Sequence, residues 1–474
     1  MQNSGTLPQF GISRTMGQIS IIGMICAAVL APGITLSEAL PWFKAEQLLL
    51  PVIFLIYGLL LLTGAARTIR SNGMFVIALL YSVATLLSMW YGSEVLGQST
   101  VLRDYYEFPK IWLPVIFFTV AYEAGLSEQA IRRLLAFFAL AMSLVCLYAW
   151  GQWASLGITF KIDPYYSGGE HIVGALERYR RVFSTMGNAN VLGQLLTWSI
   201  AIYLLAFLSK VGGRARNLAM ILICLVTLAM TGSRYGLLTT SLAVTLVFAL
   251  QSGSARRRSQ LALLIFLLPV FALVVAIVAT SNKATSDRFE TLQHPLQVDS
   301  LRTRLDDLWR DAGKDFFESP FVGHGPAKKI YTDVITDSEY LDVLKKFGIV
   351  GFCIYLAYYL FPLYLLMKGF RMGRPALAQL EFQLPASAMV MRLGVVLIVT
   401  AMVMNIGETT FYSQVLQGFL WLWLGIAARS SKNLQQADAS YKIESPVADK
   451  AVFASGDLGF RRDNLCLSRP PSGS

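Results

Sequence analysis

Arginines at three places in this chain are candidates for chemistry. Arg178, Arg180 and Arg181 stand just before an apolar run, Arg234 sits between two apolar runs in TGSRYG, and Arg288, Arg302, Arg304 and Arg310 are spread through a longer polar stretch. A guanidinium stays charged and offers a planar, two-pronged donor set that fits phosphate. Several of them converging at one place suit a pyrophosphate. Ordinary anionic lipid or a nearby Asp or Glu would satisfy any single one equally well. Arg234 is the least ordinary: a turn of about four residues between two apolar runs has little use for a charge unless it faces a polar cavity, since polar groups at membrane depth are costly.

Groups able to move a proton share the long polar stretch: Asp287, Glu290, His324, Asp333, Asp337, Glu339 and Asp342. A hydroxyl attacking a sugar carbon needs a base, and a carboxylate among arginines could serve. Asp337 also fits a plainer role in the first turn of a helix, where the dipole favours an acid. His324, between Gly323 and Gly325, could be a base, a ligand or a solvated loop residue, whereas His171 and His294 read as isolated loop residues. In RVFSTMGNAN, Asn188 and Asn190 can cap the following helix, whose N-terminus also suits an anion. There is no Walker loop and no cluster at metal-ligand spacing. The five cysteines (Cys26, Cys146, Cys224, Cys353 and Cys466) form no CxxC and read mainly as small core residues. No metal and no cofactor is expected.

The elements that must position these groups are membrane spans. Of 474 residues, 55% are hydrophobic and only 15% charged, and the mean hydropathy is +0.54. Soluble domains carry about 25% charged residues, so a soluble reading is excluded. The excess of 40 Lys plus Arg over 29 Asp plus Glu, a net +11, is read as orientation signal and lipid-facing charge, not as a nucleic-acid surface. Apolar windows give about twelve spans, since roughly 20 residues cross the hydrocarbon core. They fall near 18–38, 48–66, 73–92, 109–122, 134–157, 189–209, 217–231, 235–250, 260–280, 347–367, 387–406 and 411–428.

Alternate connections carry Arg67 and Arg70; Arg132 and Arg133; Lys210, Arg214 and Arg216; Arg256, Arg257 and Arg258; and Lys368, Arg371 and Arg374. The short loops of the other phase hold only Lys44, Arg103 and Arg234, with Lys110 at one rim. The positive-inside rule then places both termini in the cytoplasm and two longer segments, 158–188 and 281–346, outside.

The organisation expected is therefore spans one to nine over 1–280, a large outer loop over 281–346, spans ten to twelve over 347–428, and a disordered cytoplasmic tail over 429–474. The outer loop has structure of its own. Leu301, Leu305, Leu308, Trp309, Ala312 and Phe316 recur at helical spacing with acids on the other face, which suits a helix lying in the membrane interface. Pro320, Gly323, Gly325 and Pro326 then demand an irregular loop. Thr336 followed by Glu339 has the capping-box pattern of a further helix start.

Four segments resemble the O-antigen ligase/polymerase superfamily of bacterial inner-membrane glycosyltransferases. They are RVFSTMGNAN (181–190), TGSRYGLL (231–238), RLDDLWRDAGKDFFESPFVGHG (304–325) and DSEYLDVLKKFGIVG (337–351). Their order, with the large outer loop before the last three spans, covers about 178–367. The resemblance implies an all-α, GT-C-like polytopic membrane protein in the bacterial inner membrane, with short amphipathic helices in a periplasmic loop. It implies a donor glycan on undecaprenyl pyrophosphate, a glycan acceptor, no metal, and pyrophosphate-binding roles for Arg181, Arg234, Arg288 and Arg304. The Arg304 to Trp309 spacing is one residue longer than the family's usual, so Arg302 and Arg304 both stand as counterparts. Ligases of the family commonly carry His-Asn where Asp337 and Ser338 stand here.

That departure favours a polymerase of lipid-linked repeat units, with Asp337 or His324 as catalytic base, over a ligase onto lipid A core or another acceptor. Membrane lipids, a chain-length regulator and export machinery are the further partners of such a role. From another class, a flippase or exporter of lipid-linked sugars would bury ionisable groups within its spans, and the spans here are nearly free of them.

Overall fold

The computed structural model describes residues 73–167, 181–251, 303–327, 336–370, 384–408 and 413–444, with short pieces at 21–25, 29–30, 33–34 and 43–44 and isolated positions at 176 and between 269 and 280. Its main helices are α1 (Gly73–Glu94), α2 (Glu107–Glu123), α3 (Glu128–Trp153), α4 (Ala189–Leu208), α5 (Arg214–Thr231), α6 (Arg234–Leu250), α7 (Trp309–Glu318), α8 (Glu339–Phe370), α9 (Pro385–Met404) and α10 (Gln414–Glu444). Gly33–Ile34 and Phe43–Lys44 form a two-residue antiparallel pair. Six of the described helices, α1, α3, α4, α5, α8 and α9, are long and apolar enough to cross a membrane. The chain is an all-α polytopic membrane protein. Described helices coincide with the expected spans three to eight and ten to twelve; the windows 18–38, 48–66 and 260–280 lie largely outside the described residues.

Lipid tails are as apolar as leucine, so membrane helices associate through close packing and interhelical hydrogen bonds. Two close approaches organise this bundle. Gly418 and Gly425 of α10 face α2, where a Cβ at Gly425 would run into the Phe118 carbonyl and one at Gly418 would lie 3.2 Å from the Phe117 ring. Gly193 of α4 and Gly236 of α6 let those helices cross, with Cα of Gly193 3.3 Å from where a Cβ would stand on Gly236. Thr197 and Thr240 hydrogen-bond beside that crossing at 2.8 Å. Trp198 stacks on Phe419, ring centroids 5.9 Å apart, a contact type that contributes about 1 kcal/mol beyond its buried area.

Helix ends are tied down by side chains. Ser127 caps α3, accepting from the Ala130 N–H at 3.2 Å. Glu128, the next residue, reaches the start of α9 and accepts the N–H groups of Ala386 and Ser387, each at 2.8 Å. That fixes the end of α9 opposite its Asn405–Glu408 turn. At the other end Asn405 Nδ2 donates to the Tyr355 and Tyr359 hydroxyls of α8 at 2.8 and 3.0 Å, and the Asn405 carbonyl accepts from Glu339 N–H at 3.0 Å.

Three expectations change. Residues 429–444, expected as part of a disordered tail, continue α10. The stretch SSKNLQQADASYKIE has no Pro or Gly and many good helix formers, and Leu434 is buried; residues 445–474 lie outside the described set. The helix expected from Thr336 begins only at Glu339, because Asp337 adopts a left-handed backbone with φ +50°. Ser338 supplies the first turn's acceptor, its carbonyl taking the Asp342 N–H at 3.0 Å, and no capping box forms at Thr336. Finally, the start expected near 347 for span ten is a kink inside α8, at Gly348 with φ 61° and ψ −167°.

Around the kink four backbone groups of α8 pair with the loop after α7. Ile349 and Val350 donate to the Pro320 and Phe321 carbonyls at 2.8 and 3.4 Å, while the Lys345 and Lys346 carbonyls accept from His324 and Gly325 N–H at 3.0 and 2.8 Å. Buried backbone groups must find partners, so the Pro-Gly-rich loop and the kink require one another.

Candidate functional site

Asn188 caps α4 as expected, its Oδ1 accepting from Asn190 N–H at 2.7 Å. That leaves the Asn190 side chain free for another task. Its Oδ1 accepts from Arg181 Nη2 at 2.7 Å, and its Nδ2 donates to Glu408 Oε1 at 2.6 Å. Arg181 is anchored from behind by Nε donating to the Thr231 carbonyl at 3.1 Å. It runs over Gly232, which ends α5 at φ +57° and against which a Cβ would make only ordinary contact with the Arg181 side chain, so the backbone conformation is what calls for glycine there.

The next residues turn into α6. Ser233 caps it, accepting from Gly236 N–H at 3.1 Å, so Arg234 becomes its first residue. Tyr235 packs flush against Gly407. The turn that carries Arg234 thus abuts the turn that carries Glu408, and Arg181 lies across the former.

Arg304 closes the group from the other side. Its Nε is 3.1 Å from Asp337 Oδ2 and its Nη2 is 3.8 Å from Glu408 Oε1. Arg181, Asn190, Glu408, Arg304 and Asp337 therefore form one continuous chain of contacts. Asp337 is more open than the two residues beside it, its side chain 37% exposed against 18% for Arg304 and 16% for Glu408. Burial pushes the Glu408 carboxyl up to about 7; the Asp337 charge adds to this, while Arg304, Arg181 and the Asn190 hydrogen bond hold it down.

Arg304 begins a single π-helical turn, Arg304–Leu308, in which Trp309 N–H returns to the Arg304 carbonyl. A π turn holds one more residue than an α turn. Among the described residues Arg304 is the arginine that meets both Asp337 and Glu408; Arg302 and Arg288 lie outside the described residues, as do Arg178 and Arg180.

His324 is placed elsewhere. It is 4% exposed, its Nδ1 accepts from Gln98 Nε2 at 2.9 Å and its Nε2 donates to the Asp315 carbonyl at 2.6 Å. Both ring nitrogens are engaged in joining the segment after α1, α7 and the loop that follows α7, so the imidazole is neither a solvated loop residue nor poised beside Asp337. Glu339 and Asp342 are buried in α8, Asp342 paired with Lys346 at 2.6 Å.

Sequence reasoning missed Glu408 and gave Asn190 only a capping role. The signal for Glu408 was present: in GETTFYSQ it is the sole charge of a short turn between two apolar runs, the same argument that singles out Arg234.

No curated protein matches the chain. Residues 219–356, which run from α5 through the Arg234 turn, Arg304, His324 and Asp337 into α8, match the family described as O-Antigen ligase. That match bears out, over this segment, the resemblance to the O-antigen ligase/polymerase superfamily.

Proposed function

We propose that the protein is a glycosyltransferase of the bacterial inner membrane that lengthens a glycan carried on undecaprenyl pyrophosphate, moving the growing chain onto a new lipid-linked repeat unit at the periplasmic face. The observation that supports this most is the joining of Arg181 and Arg304 through Asn190 and Glu408, with Asp337 open beside them. Two arginines held by a polar relay at the ends of membrane helices suit the two phosphates of a lipid headgroup, and Arg234 and Arg288 are the further candidates for that contact.

In this reading a sugar hydroxyl attacks the anomeric carbon of the donor, most simply with inversion, as the pyrophosphate leaves. The arginines meet the charge developing on the leaving group, a contribution that often dominates a rate enhancement, and the step as proposed needs no metal. A carboxylate of the cluster takes the hydroxyl's proton; Asp337 is the candidate from the sequence, and His324 is disfavoured by its engaged ring.

The test is the length of glycan on the lipid carrier in a deletion strain complemented with wild type, Arg234→Ala or Arg304→Ala. Single repeat units should accumulate with either variant at normal membrane levels. Long chains that form on the carrier yet fail to reach their final acceptor would instead establish the second reading, a ligase, which the description of the matched family favours.

A further inference from the structure

We infer that Glu408, not Asp337, accepts the proton of the attacking hydroxyl, so that Glu408 is a catalytic residue of the transfer and Asp337 a positioning residue that holds Arg304. This rests on the glycan-transfer reading above and assigns its proton.

The two acids are committed differently. Asp337 Oδ2 faces Arg304 Nε in a direct ion pair, and protonating it would release the arginine that is needed at the moment charge develops on the leaving group. Glu408 makes both of its contacts, with Asn190 Nδ2 and Arg304 Nη2, through Oε1. Among the described residues Oε2 is uncommitted. Protonation at Oε2 leaves the Asn190 relay to Arg181 intact and removes a carboxylate charge from between the arginines just as they take up the charge of the pyrophosphate. Glu408 also sits where turns from α6 and α9 meet the π turn of Arg304, which places it between the phosphate-binding candidates instead of at their edge.

Its acidity fits the task. A general base works best with a pKa near the working pH, and burial brings this carboxyl to about 7. The charged and titratable groups facing it are Arg304 from the π turn, Asp337 from the segment before α8, Arg181 from the segment before α4, and Tyr235 of α6.

The step balances as follows. The O–H proton of the acceptor sugar moves to Glu408 Oε2, the acceptor oxygen bonds to the anomeric carbon of the donor, and the bond from that carbon to the pyrophosphate oxygen breaks with its electron pair leaving on the pyrophosphate.

The test uses the full-length protein reconstituted with the lipid-linked glycan that accumulates in a deletion strain. Initial rates of glycan lengthening are followed from roughly pH 5 to 9, on either side of the working range of a general base. Wild type should rise through an apparent pKa near that of Glu408. Glu408→Gln should lose about 100-fold or more in rate, the usual contribution of a general base, and lose the rising limb. Glu408→Asp should keep the limb at a lower rate, and Asp337→Asn should lower the rate with the limb in place. Thermal unfolding of each purified variant separates these effects from misfolding. Retention of the limb in Glu408→Gln, or its loss in Asp337→Asn, overturns the inference while leaving glycan transfer standing. A wild-type protein that lengthens no glycan from this donor overturns the transfer reading and the inference with it.

Discussion

Asp337 meets Arg304 from a backbone conformation that few side chains accept: its φ is +50°, and from there its Oδ2 stands 3.1 Å from Arg304 Nε, 33 residues away in the chain. Asp and Asn tolerate the left-handed region, and β-branched residues do not. Asp337→Asn should therefore keep the turn and the membrane level of the protein, and lower glycan lengthening by about tenfold, the weight of one charge-assisted hydrogen bond. Asp337→Val should add a backbone cost of about 1–3 kcal/mol and reduce the amount of folded protein as well. Immunoblots of membranes alongside glycan ladders check both; equal membrane levels for the two variants would contradict the backbone argument.

His324 serves the fold. A glutamine can accept from Gln98 and donate to the Asp315 carbonyl, as the imidazole does. His324→Gln should retain glycan lengthening within several-fold of wild type, whereas His324→Ala removes the ring from two partly buried partners and should lower the unfolding temperature. Abolished turnover in a stable His324→Gln protein would return the ring to the chemistry.

Gly348 is irreplaceable for two reasons that act together. Its φ of 61° disfavours any side chain, and a Cβ there would collide with the Phe321 carbonyl. Gly348→Ala should disrupt the exchange of backbone hydrogen bonds between the 319–325 loop and the kink, cutting the membrane level severely, while Gly313→Ala, with open space around its Cβ position, should be neutral. Limited proteolysis of the 319–325 loop in detergent gives an independent reading.

Glu408 makes stability depend on pH. Its folded pKa of about 7 lies above the ordinary glutamate value of 4.5. The protonated form is thus the one folding favours, and its contribution is complete below the unfolded pKa and lost as pH rises through the folded one. The shift corresponds to about 3 kcal/mol. Between pH 5 and 8, roughly the window set by the two pKa values, wild type should lose unfolding temperature as pH rises, and Glu408→Gln, which cannot ionise, should lose less. Parallel pH profiles for the two proteins would contradict this.

Much of the fold is legible in the sequence because membrane spans are written in long apolar runs. α4, α5 and α6 lie where 189–209, 217–231 and 235–250 predict them. Local chemistry also reads correctly at Asn188, where the cap acts within two positions of itself. What is not legible depends on residues far apart. His324 looks solvated because its neighbours are glycines, yet the chain folds Gln98 and Asp315 onto it. The capping pattern at Thr336 gives way because the Glu339 N–H finds the Asn405 carbonyl instead. Glu408 gains its environment from Arg304, Asp337, Arg181 and Asn190, none of which is near it in sequence.

The π turn at Arg304 sets the tolerance of this region to changes in length. Each residue of an α-helix rotates the chain by about 100°, so one extra residue in a regular helix would swing the guanidinium a quarter of a circle or more away from Asp337 and Glu408. Accommodated as a widened turn, the extra residue leaves Trp309 and the remainder of α7 in phase with the bundle. Removing one residue between Leu305 and Leu308 would tighten the turn and aim Arg304 elsewhere, so a deletion there is more damaging than any conservative substitution at the same positions. The segment can vary in length only by exchanging one helical winding for another.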